Sequence, residues 1–307
     1  MSANWEDLFG EWAKGPPQAE RQTSENAIRA IKEAVSNSPK LSKRRIKTFA
    51  QGSYRNRVNV RQDSDVDVGV LCFDVFLEQY PEGMSRDTFG IVDGGYPYAQ
   101  FKNELEEALV AHFGRASVHR GNKAFDLGNN AYSIEADVAP FFEYRRYWQG
   151  GDYRAGVALI PDRGERIENF PERLVDYWPT TPLHYENGVR KNERTSRRFK
   201  GATRIVKKLR NLMDDRGVLE AAPIPGFSIE CLVWNVPDSC FTRSTWDSRV
   251  QSIFSYLTAS TASSATCNEW CEVNDIKYLF RSSQKWTRAE AHAFVRTAWN
   301  FVGRRSA

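Results

Sequence analysis

The stretch QGSYRNRVNVRQDSDVDVGVLCF, residues 51–73, is the most informative part of the sequence for predicting the fold class. It carries a Gly-Ser pair, Gly52 and Ser53, then a short basic segment, and then Asp65 and Asp67 at the start of an apolar run. Residues two apart on a strand point to the same side, so the two carboxylates project together while the valines that alternate with them enter the core. The stretch therefore predicts a rigid pair of carboxylates at the beginning of a buried strand.

Carboxylates this close repel one another unless positive charge lies between them. Asp63, Asp65 and Asp67 resemble the start of an EF-hand loop, but that loop needs glycine and glutamate where this chain has Val68 and Asp74. A solvated strand tip is a second interpretation, and ion pairs with the preceding basic segment are a third. Neither of these accounts for the Gly-Ser pair upstream, so we favour a bound metal ion.

Carboxylate oxygens suit Mg²⁺, which proteins bind through one or two carboxylates together with substrate phosphates. A further carboxylate from an adjacent strand would complete a two-metal site for phosphoryl chemistry, and SIEADVAPFF offers Asp137 or, as second choice, Glu135. Gly52 permits close approach of the backbone to a phosphate, and the Ser53 hydroxyl can bind a terminal phosphate. We therefore expect two Mg²⁺ ions, replaceable by Mn²⁺, and a triphosphate.

Composition places the chain among ordinary globular proteins: 307 residues, 41% hydrophobic, 27% charged, with a net charge of +4. No apolar run is long enough to span a bilayer, and we expect no membrane partner. The five cysteines are odd in number and irregularly spaced, which favours a reducing, cytoplasmic compartment. Basic residues cluster at 43–61 and 190–210, which indicates a solvated face or a polyanionic partner such as a nucleotide, nucleic acid or acidic lipid.

Hydrophobic periodicity divides the chain into a mixed α/β part, residues 1–185, and a helical part, residues 186–307. We predict strands at 46–50, 65–73, 133–144 and 153–161, and helices at 23–36, 99–113, 194–213, 227–236, 246–259 and 287–302. Thr287 and Glu290 have the spacing of a capping box at the start of the last helix. The Ser/Thr/Ala segment 258–266 is predicted to be a linker loop.

The Gly-Ser and Asp-x-Asp spacing resembles that of the polymerase-β-like nucleotidyltransferases. Three further segments narrow the resemblance: SIEADVAPFF, HYENGVRKNERTSRRFKGATRIVKKLRN and IPGFSIECLVWNVP. Together they resemble the bacterial cyclic-oligonucleotide synthases, relatives of animal cyclic GMP-AMP synthase that act in antiphage (CBASS) signalling. The likeness spans residues 45–240. It implies an α+β fold, a mixed β-sheet core with flanking helices, joined to a helical domain that closes the nucleotide cleft.

The resemblance also implies a role for each residue of the opening stretch. Asp65 and Asp67 would hold both Mg²⁺ ions. Asp137 would hold one of them and help to deprotonate the attacking ribose hydroxyl. Gly52 and Ser53 would grip the triphosphate.

Further nucleotide contacts are implied in the helical part. Lys207 lies where family members place a lysine on the donor phosphates, with Lys200 and Lys208 as competitors, and Phe227 matches an aromatic residue that stacks on a nucleobase. The alternatives are that these lysines are solvated charges and that Phe227 belongs to the core. The chain also departs from many relatives at Gly226, where they carry serine.

The implied reaction is attack of a ribose hydroxyl on the α-phosphate of a nucleoside triphosphate such as ATP, with release of pyrophosphate, until a cyclic di- or trinucleotide closes. The implied partners are an effector that binds this second messenger and a protein conjugated to the C-terminus, while nucleic acid is not required. Two alternatives stay open. One is an RNA-tailing, small-molecule or protein nucleotidyltransferase, and the other is a non-catalytic nucleic-acid sensor in which Asp65 has no role.

Overall fold

The computed structural model describes most of the chain. The described residues are 5–50, 53, 56–60, 66–128, 135–169, 183–275, 277–282 and 284–303. They belong to two compact units. The sheet unit comprises Pro17–Tyr54 and Asp65–Pro182, and the helical unit comprises Met1–Pro16, Arg55–Ser64 and Leu183–Ala307.

Helices and strands are numbered here in chain order. The helices are α1 (Trp5–Ala13), α2 (Gln18–Asn37), α3 (Tyr98–Phe113), α4 (Leu183–Arg194), α5 (Phe199–Asp214), α6 (Gly226–Trp234), α7 (Trp246–Thr261), α8 (Ser264–Cys267) and α9 (Arg288–Gly303). The strands are β1 (Ile46–Ala50), β2 (Val66–Gln79), β3 (Val118–Arg120), β4 (Phe125–Leu127), β5 (Ala136–Tyr147), β6 (Tyr153–Leu159) and β7 (Ile167–Asn169). No helix of the described ranges is both long enough and apolar enough to cross a membrane.

Within the described residues, the strands form one mixed sheet in the order β1-β2-β5-β4-β3, and β6 pairs with β5 and with β7. The central pair, β2 and β5, is parallel, whereas the other pairs are antiparallel. This arrangement confirms the predicted mixed sheet. It also brings the two strands that carry alternating acids and apolar residues side by side at its centre.

One face of the sheet is covered by α2 and α3. The valines that alternate with the acids of β2, Val66, Val68 and Val70, are buried in this core together with Ile31 of α2 and Phe101 of α3. Their burial confirms the predicted inward face of the strand. The residues between them point to the opposite face of the sheet, because side chains alternate along a strand.

The helical unit buries a second core, and α1 contributes to it. Trp5, Phe9 and Ala13 lie on one side of α1 and pack among the apolar residues of α5, α6, α7 and α9. The Glu6 carboxylate accepts hydrogen bonds from the first backbone N–H groups of α7, at 3.0 and 2.7 Å. We predicted that residues 1–16 belong with the α/β part, so this assignment differs from the observed unit, since burial of the α1 aromatic side chains ties the helix to the helical core.

Two sequence predictions for the helical unit need correction. The predicted linker 258–266 is wrong, because α7 continues to Thr261 and the Ser263 hydroxyl caps α8 by accepting from the Ala265 N–H at 3.2 Å. The predicted helix 194–213 begins later than predicted, because Arg194 is the last residue of α4 and α5 begins at Phe199. The chain turns between them at Ser196 and Arg197, whose φ values of 52° and 63° are left-handed and incompatible with a continuous helix.

The capping box at the start of α9 is confirmed. The Thr287 N–H donates to the Glu290 carboxylate at 2.8 Å, and the Glu290 N–H donates to the Thr287 hydroxyl at 3.2 Å. Two backbone donors that the helix cannot satisfy internally are thereby paired.

Candidate active site

The site begins with two aspartates on the central strands of the sheet. Asp67 on β2 lies directly opposite Asp137 on β5. Their neighbours along each strand, Val66 with Val68 and Ala136 with Val138, are buried beneath α2 and α3, so both carboxylates lie on the other face. Adjacent strands are about 4.8 Å apart, which makes these two acids immediate neighbours. Asp137 is exposed and Asp67 is partly exposed.

A third acid on the same face was missed in the sequence. Asp126 on β4 lies directly opposite Asp137 and is exposed. It sits between the buried residues Phe125 and Leu127. The alternation of apolar, acidic and apolar residues in this short strand repeats that of β2 and β5, and this signal could have identified it.

The sequence also predicts Asp65, Gly52 and Ser53 at this site. Asp65 and Gly52 lie outside the described residues. Ser53 is described and is partly exposed in a helical conformation.

Among the described residues, no group of three or more His, Cys, Asp or Glu side chains is arranged to hold a metal ion. The second choice, Glu135, precedes β5 and is exposed.

The predicted lysines of α5 are buried inside the helical unit. Lys200 is 8% exposed and Lys207 is 5% exposed, so the alternative that they are ordinary solvated charges is wrong. Among the described residues, neither forms an ion pair with a carboxylate. Burial lowers the pKa of Lys207, and it lowers that of Lys200 to about 8. The competitor Lys208 is only partly buried.

A buried carboxylate lies near both lysines. Glu230 of α6 is 2% exposed and accepts a hydrogen bond from Nε2 of the buried His184 at 3.0 Å. Burial by itself would raise the pKa of Glu230, but His184, Lys207 and Lys200 together lower it below its usual value. Glu230 is therefore ionised and partly balances the two lysines. A lone acid within the apolar helix GFSIECLVW was the available sequence signal.

Phe227 lies on the surface of the helical unit. Its side chain is 40% exposed, so the alternative that it belongs to the core is wrong. Its ring contacts the rings of His184 and Trp286, with centroids 5.5 and 5.9 Å away. A methyl group added at the preceding residue, Gly226, would lie 3.8 Å from Lys207 Nζ. The first turn of α6 thus brings an exposed aromatic ring and a buried ammonium group close together.

Residues 186–303 match the family model of the cGAS/DncV-like nucleotidyltransferase C-terminal helical domain. Over nearly the whole chain, the sequence is similar to two curated proteins named cyclic dipyrimidine nucleotide synthase CdnE. The one from Cecembia lonarensis is 39% identical and the one from Legionella pneumophila is 40% identical, each over 98% of this chain and 99% of the relative.

The chain belongs to the cGAS/DncV-like nucleotidyltransferases.

Solved structures of the cGAS/DncV-like family share its architecture. Rhodothermus marinus CdnE c-UMP-AMP synthase with Apcpp and Upnpp has a TM-score of 0.79 and 27% identity, covering 97% of this chain and 96% of that one. Elizabethkingia meningoseptica CdnE cyclic dinucleotide synthase with GTP and Apcpp has a TM-score of 0.76 and 29% identity, covering 97% and 98%. The family resemblance, the α+β fold class and the nucleotidyltransferase activity predicted from the sequence are thereby confirmed.

Proposed function

We propose that this nucleotidyltransferase joins nucleoside triphosphates into a cyclic di- or trinucleotide and releases pyrophosphate. The observation that carries the proposal is the Asp67–Asp137 pair, held opposite one another on parallel strands. The names of the two relatives that match nearly the whole chain support this reaction class. Because both are named for pyrimidine products, UTP and CTP are the first substrates to test, together with ATP and GTP.

The donor chemistry of the two acids fits a divalent cation, since neighbouring carboxylates are the hard oxygen ligands that Mg²⁺ prefers. With Asp65, they would hold two Mg²⁺ ions, or Mn²⁺ in their place. Such ions, when bound, lower the pKa of an attacking hydroxyl and neutralise charge on the phosphate. Asp137 would orient the ribose hydroxyl and accept its proton, because it is the exposed member of the described pair.

The phosphates would be bound by the buried lysines. Removing an ammonium group from water without an ion-pair partner costs free energy, which a bound anion would recover. Among the described residues, neither Lys207 nor Lys200 has a carboxylate within ion-pair distance, and Glu230 balances their charge only in part. Ser53, with Gly52, would bind the terminal phosphate, and Phe227 would stack on a base. We further propose that the product is a second messenger for an effector protein in antiphage defence.

The test is mass spectrometry of the products that the purified chain forms from each nucleoside triphosphate and from all four, with Mg²⁺ or Mn²⁺ and without nucleic acid. We expect a phosphatase-resistant cyclic product. Asp67→Asn and Asp137→Asn should each reduce its formation at least about 100-fold, because positioning and charge stabilisation supply most of the acceleration. The chain offers a control on the same strand, Asp74→Asn. The Asp74 carboxylate pairs with Arg45 at 3.2 Å, so this variant should keep full activity.

Two results would contradict the proposal. One is product formation that survives Asp67→Asn. The other is extension of an added RNA in place of a cyclic product, with binding that weakens steeply as salt rises, which would favour an RNA-tailing enzyme.

A further inference from the structure

Glu230 and His184 form a buried polar pair beside the exposed ring of Phe227. Both residues lie almost out of contact with solvent, and the His184 Nε2 group donates to the Glu230 carboxylate at 3.0 Å. An apolar pair of similar volume would be as stable or more stable at such a position, because charged groups lose hydration on burial. We therefore ask whether the hydrogen bond between Glu230 and His184 serves to orient a side chain that contacts the ligand.

The His184 ring lies against the ring of Phe227. Their centroids are 5.5 Å apart and their planes differ by 31°. Phe227 and Glu230 are three residues apart on α6, so they lie on the same side of that helix. The carboxylate thus holds the imidazole from one end, while the face of the imidazole is placed against the phenyl ring.

A second fixed ring lies beside Phe227. Trp286 is 5.9 Å away with a plane difference of 54°, and its Nε1 group donates to the Leu279 carbonyl at 3.1 Å. Two rings that are themselves anchored by hydrogen bonds therefore limit how Phe227 can rotate. Phe227 nevertheless remains 40% exposed. A phenyl ring held in a fixed plane and open to solvent is a surface on which a nucleobase can stack.

We propose that His184 and Glu230 are positioning residues for the nucleobase: Glu230 orients the His184 imidazole, which in turn fixes the plane of the Phe227 ring on which the base stacks. This inference rests on the proposed function, because it assumes that nucleoside triphosphates bind beside Phe227. It gives the His184 ring a role in recognition of the base, in addition to the balance of charge that Glu230 provides for Lys200 and Lys207.

The experiment compares two ligands by calorimetry: a non-hydrolysable nucleoside triphosphate analogue, which has a base, and inorganic tripolyphosphate, which has none. The main variant is His184→Gln, because the glutamine amide nitrogen replaces the imidazole Nε2, can still donate to Glu230 and so avoids an unpaired buried charge, while the ring is lost. We expect the Kd of the analogue to rise about tenfold, in line with the loss of stacking on an aromatic ring, and the Kd of tripolyphosphate to stay unchanged. Steady-state kinetics should show a higher KM at nearly constant kcat.

Two further variants test the role of the hydrogen bond. Because the Glu230 charge also acts on Lys200 and Lys207, these variants are compared by the ratio of the analogue Kd to the tripolyphosphate Kd. Glu230→Gln keeps an oxygen acceptor for His184, so this ratio should stay close to that of the parent chain, whereas Glu230→Ala should raise it to the same extent as His184→Gln. The matched control is His292→Gln in the same unit. His292 pairs with the Thr261 hydroxyl at 3.0 Å, so both Kd values should be unchanged.

The outcomes separate the two proposals. If His184→Gln binds the analogue as tightly as the parent chain, or weakens the binding of analogue and tripolyphosphate equally, the positioning role is refuted and the proposed function stands. If the parent chain binds the analogue but forms no cyclic product, the proposed function fails while the positioning role is judged on the Kd values. If the parent chain binds neither ligand, both proposals fail.

Discussion

Lys200 shows how burial prepares a side chain to bind an anion. The groups that surround its ammonium group are Glu230, which raises its pKa, Arg57 and Arg204, which lower it, and the Tyr185 ring, whose centroid is 5.0 Å away. Desolvation is the largest effect and brings the pKa to about 8. The positive charge of Lys200 is therefore present at neutral pH but is lost in mildly alkaline solution.

We predict that affinity for tripolyphosphate falls as pH rises through about 8, since Lys200 then loses its proton. Lys200→Met should bind the anion more weakly at pH 7 and should lose the part of the pH dependence that is centred there. Calorimetric titrations from pH 6.5 to pH 9.5 measure the Kd of tripolyphosphate for both proteins. This interval brackets the pKa of Lys200, which burial lowers. Identical pH profiles for the two proteins would contradict the prediction.

The buried Lys200 side chain should also lower the free energy of unfolding at neutral pH. Lys200 has a lower pKa in the folded than in the unfolded chain, so the unfolded state binds more protons between the two pKa values. The free energy of unfolding should therefore rise with pH from about 8 towards the unfolded value of 10.5. Lys200→Met should accordingly raise the stability at pH 7, by an amount on the order of 2 kcal/mol. Thermal unfolding of both proteins at pH 7 provides the measurement.

Among the strands, the contact between β1 and β2 includes a glycine, Gly69, covered by an aromatic ring. Gly69 pairs with Phe49 across the two strands, and a Cβ atom on Gly69 would lie closer than 3.0 Å to three atoms of the Phe49 ring. The Phe49 ring thus lies over Gly69 and occupies the space where a side chain at position 69 would begin. The ring also packs with Leu71 and Val157 on the face that carries Asp67.

We predict that Gly69→Ala destabilises the sheet unit by about 1–3 kcal/mol, because the Phe49 ring must leave its position in a packed cluster. Denaturant unfolding measures the change. Gly150→Ala is the control, since a Cβ there meets no atom within 4 Å and its backbone is not left-handed. Equal stability of Gly69→Ala and the parent chain would show that the ring moves without cost.

At the scale of the whole chain, its first helix belongs to the core formed by its last helices. Phe9 is fully buried, with its ring 5.2 Å from that of Trp5 and 6.0 Å from that of Trp12. Arg204 of α5 donates from Nε to the Ala13 carbonyl at 2.9 Å, at the end of α1. The helical unit is therefore assembled from segments at both ends of the sequence.

We predict that Phe9→Ala lowers the free energy of unfolding by about 3–5 kcal/mol, the usual cost of deleting a buried aromatic side chain. Glu11→Ala is the control on the same helix. Within the described ranges, the exposed Glu11 carboxylate pairs with the exposed Lys14, so the change should stay within about 0.5 kcal/mol. A small effect of Phe9→Ala would mean that α1 adds little to the helical core.

The features that depend on local order can be predicted from the sequence alone. Alternating acids and valines in β2 and β5 indicated which side chains are buried, and the threonine and glutamate three residues apart marked the start of α9. These patterns have a fixed period, and each needs only the geometry of its own strand or helix. The family-specific segments added the fold class and the enzyme class, which the comparisons confirmed.

Contacts between residues from distant segments became visible only in the folded chain. The pairing of β2 with β5 set Asp67 opposite Asp137, and the packing of α4 against α6 set His184 against Glu230 and Phe227. Burial of Lys200 and Lys207 could not be predicted either, since a lysine stripe on a helix has the same periodicity whether it faces solvent or the protein interior. Contacts between remote segments depend on the packing of whole elements, and no short-range pattern in the sequence encodes that packing.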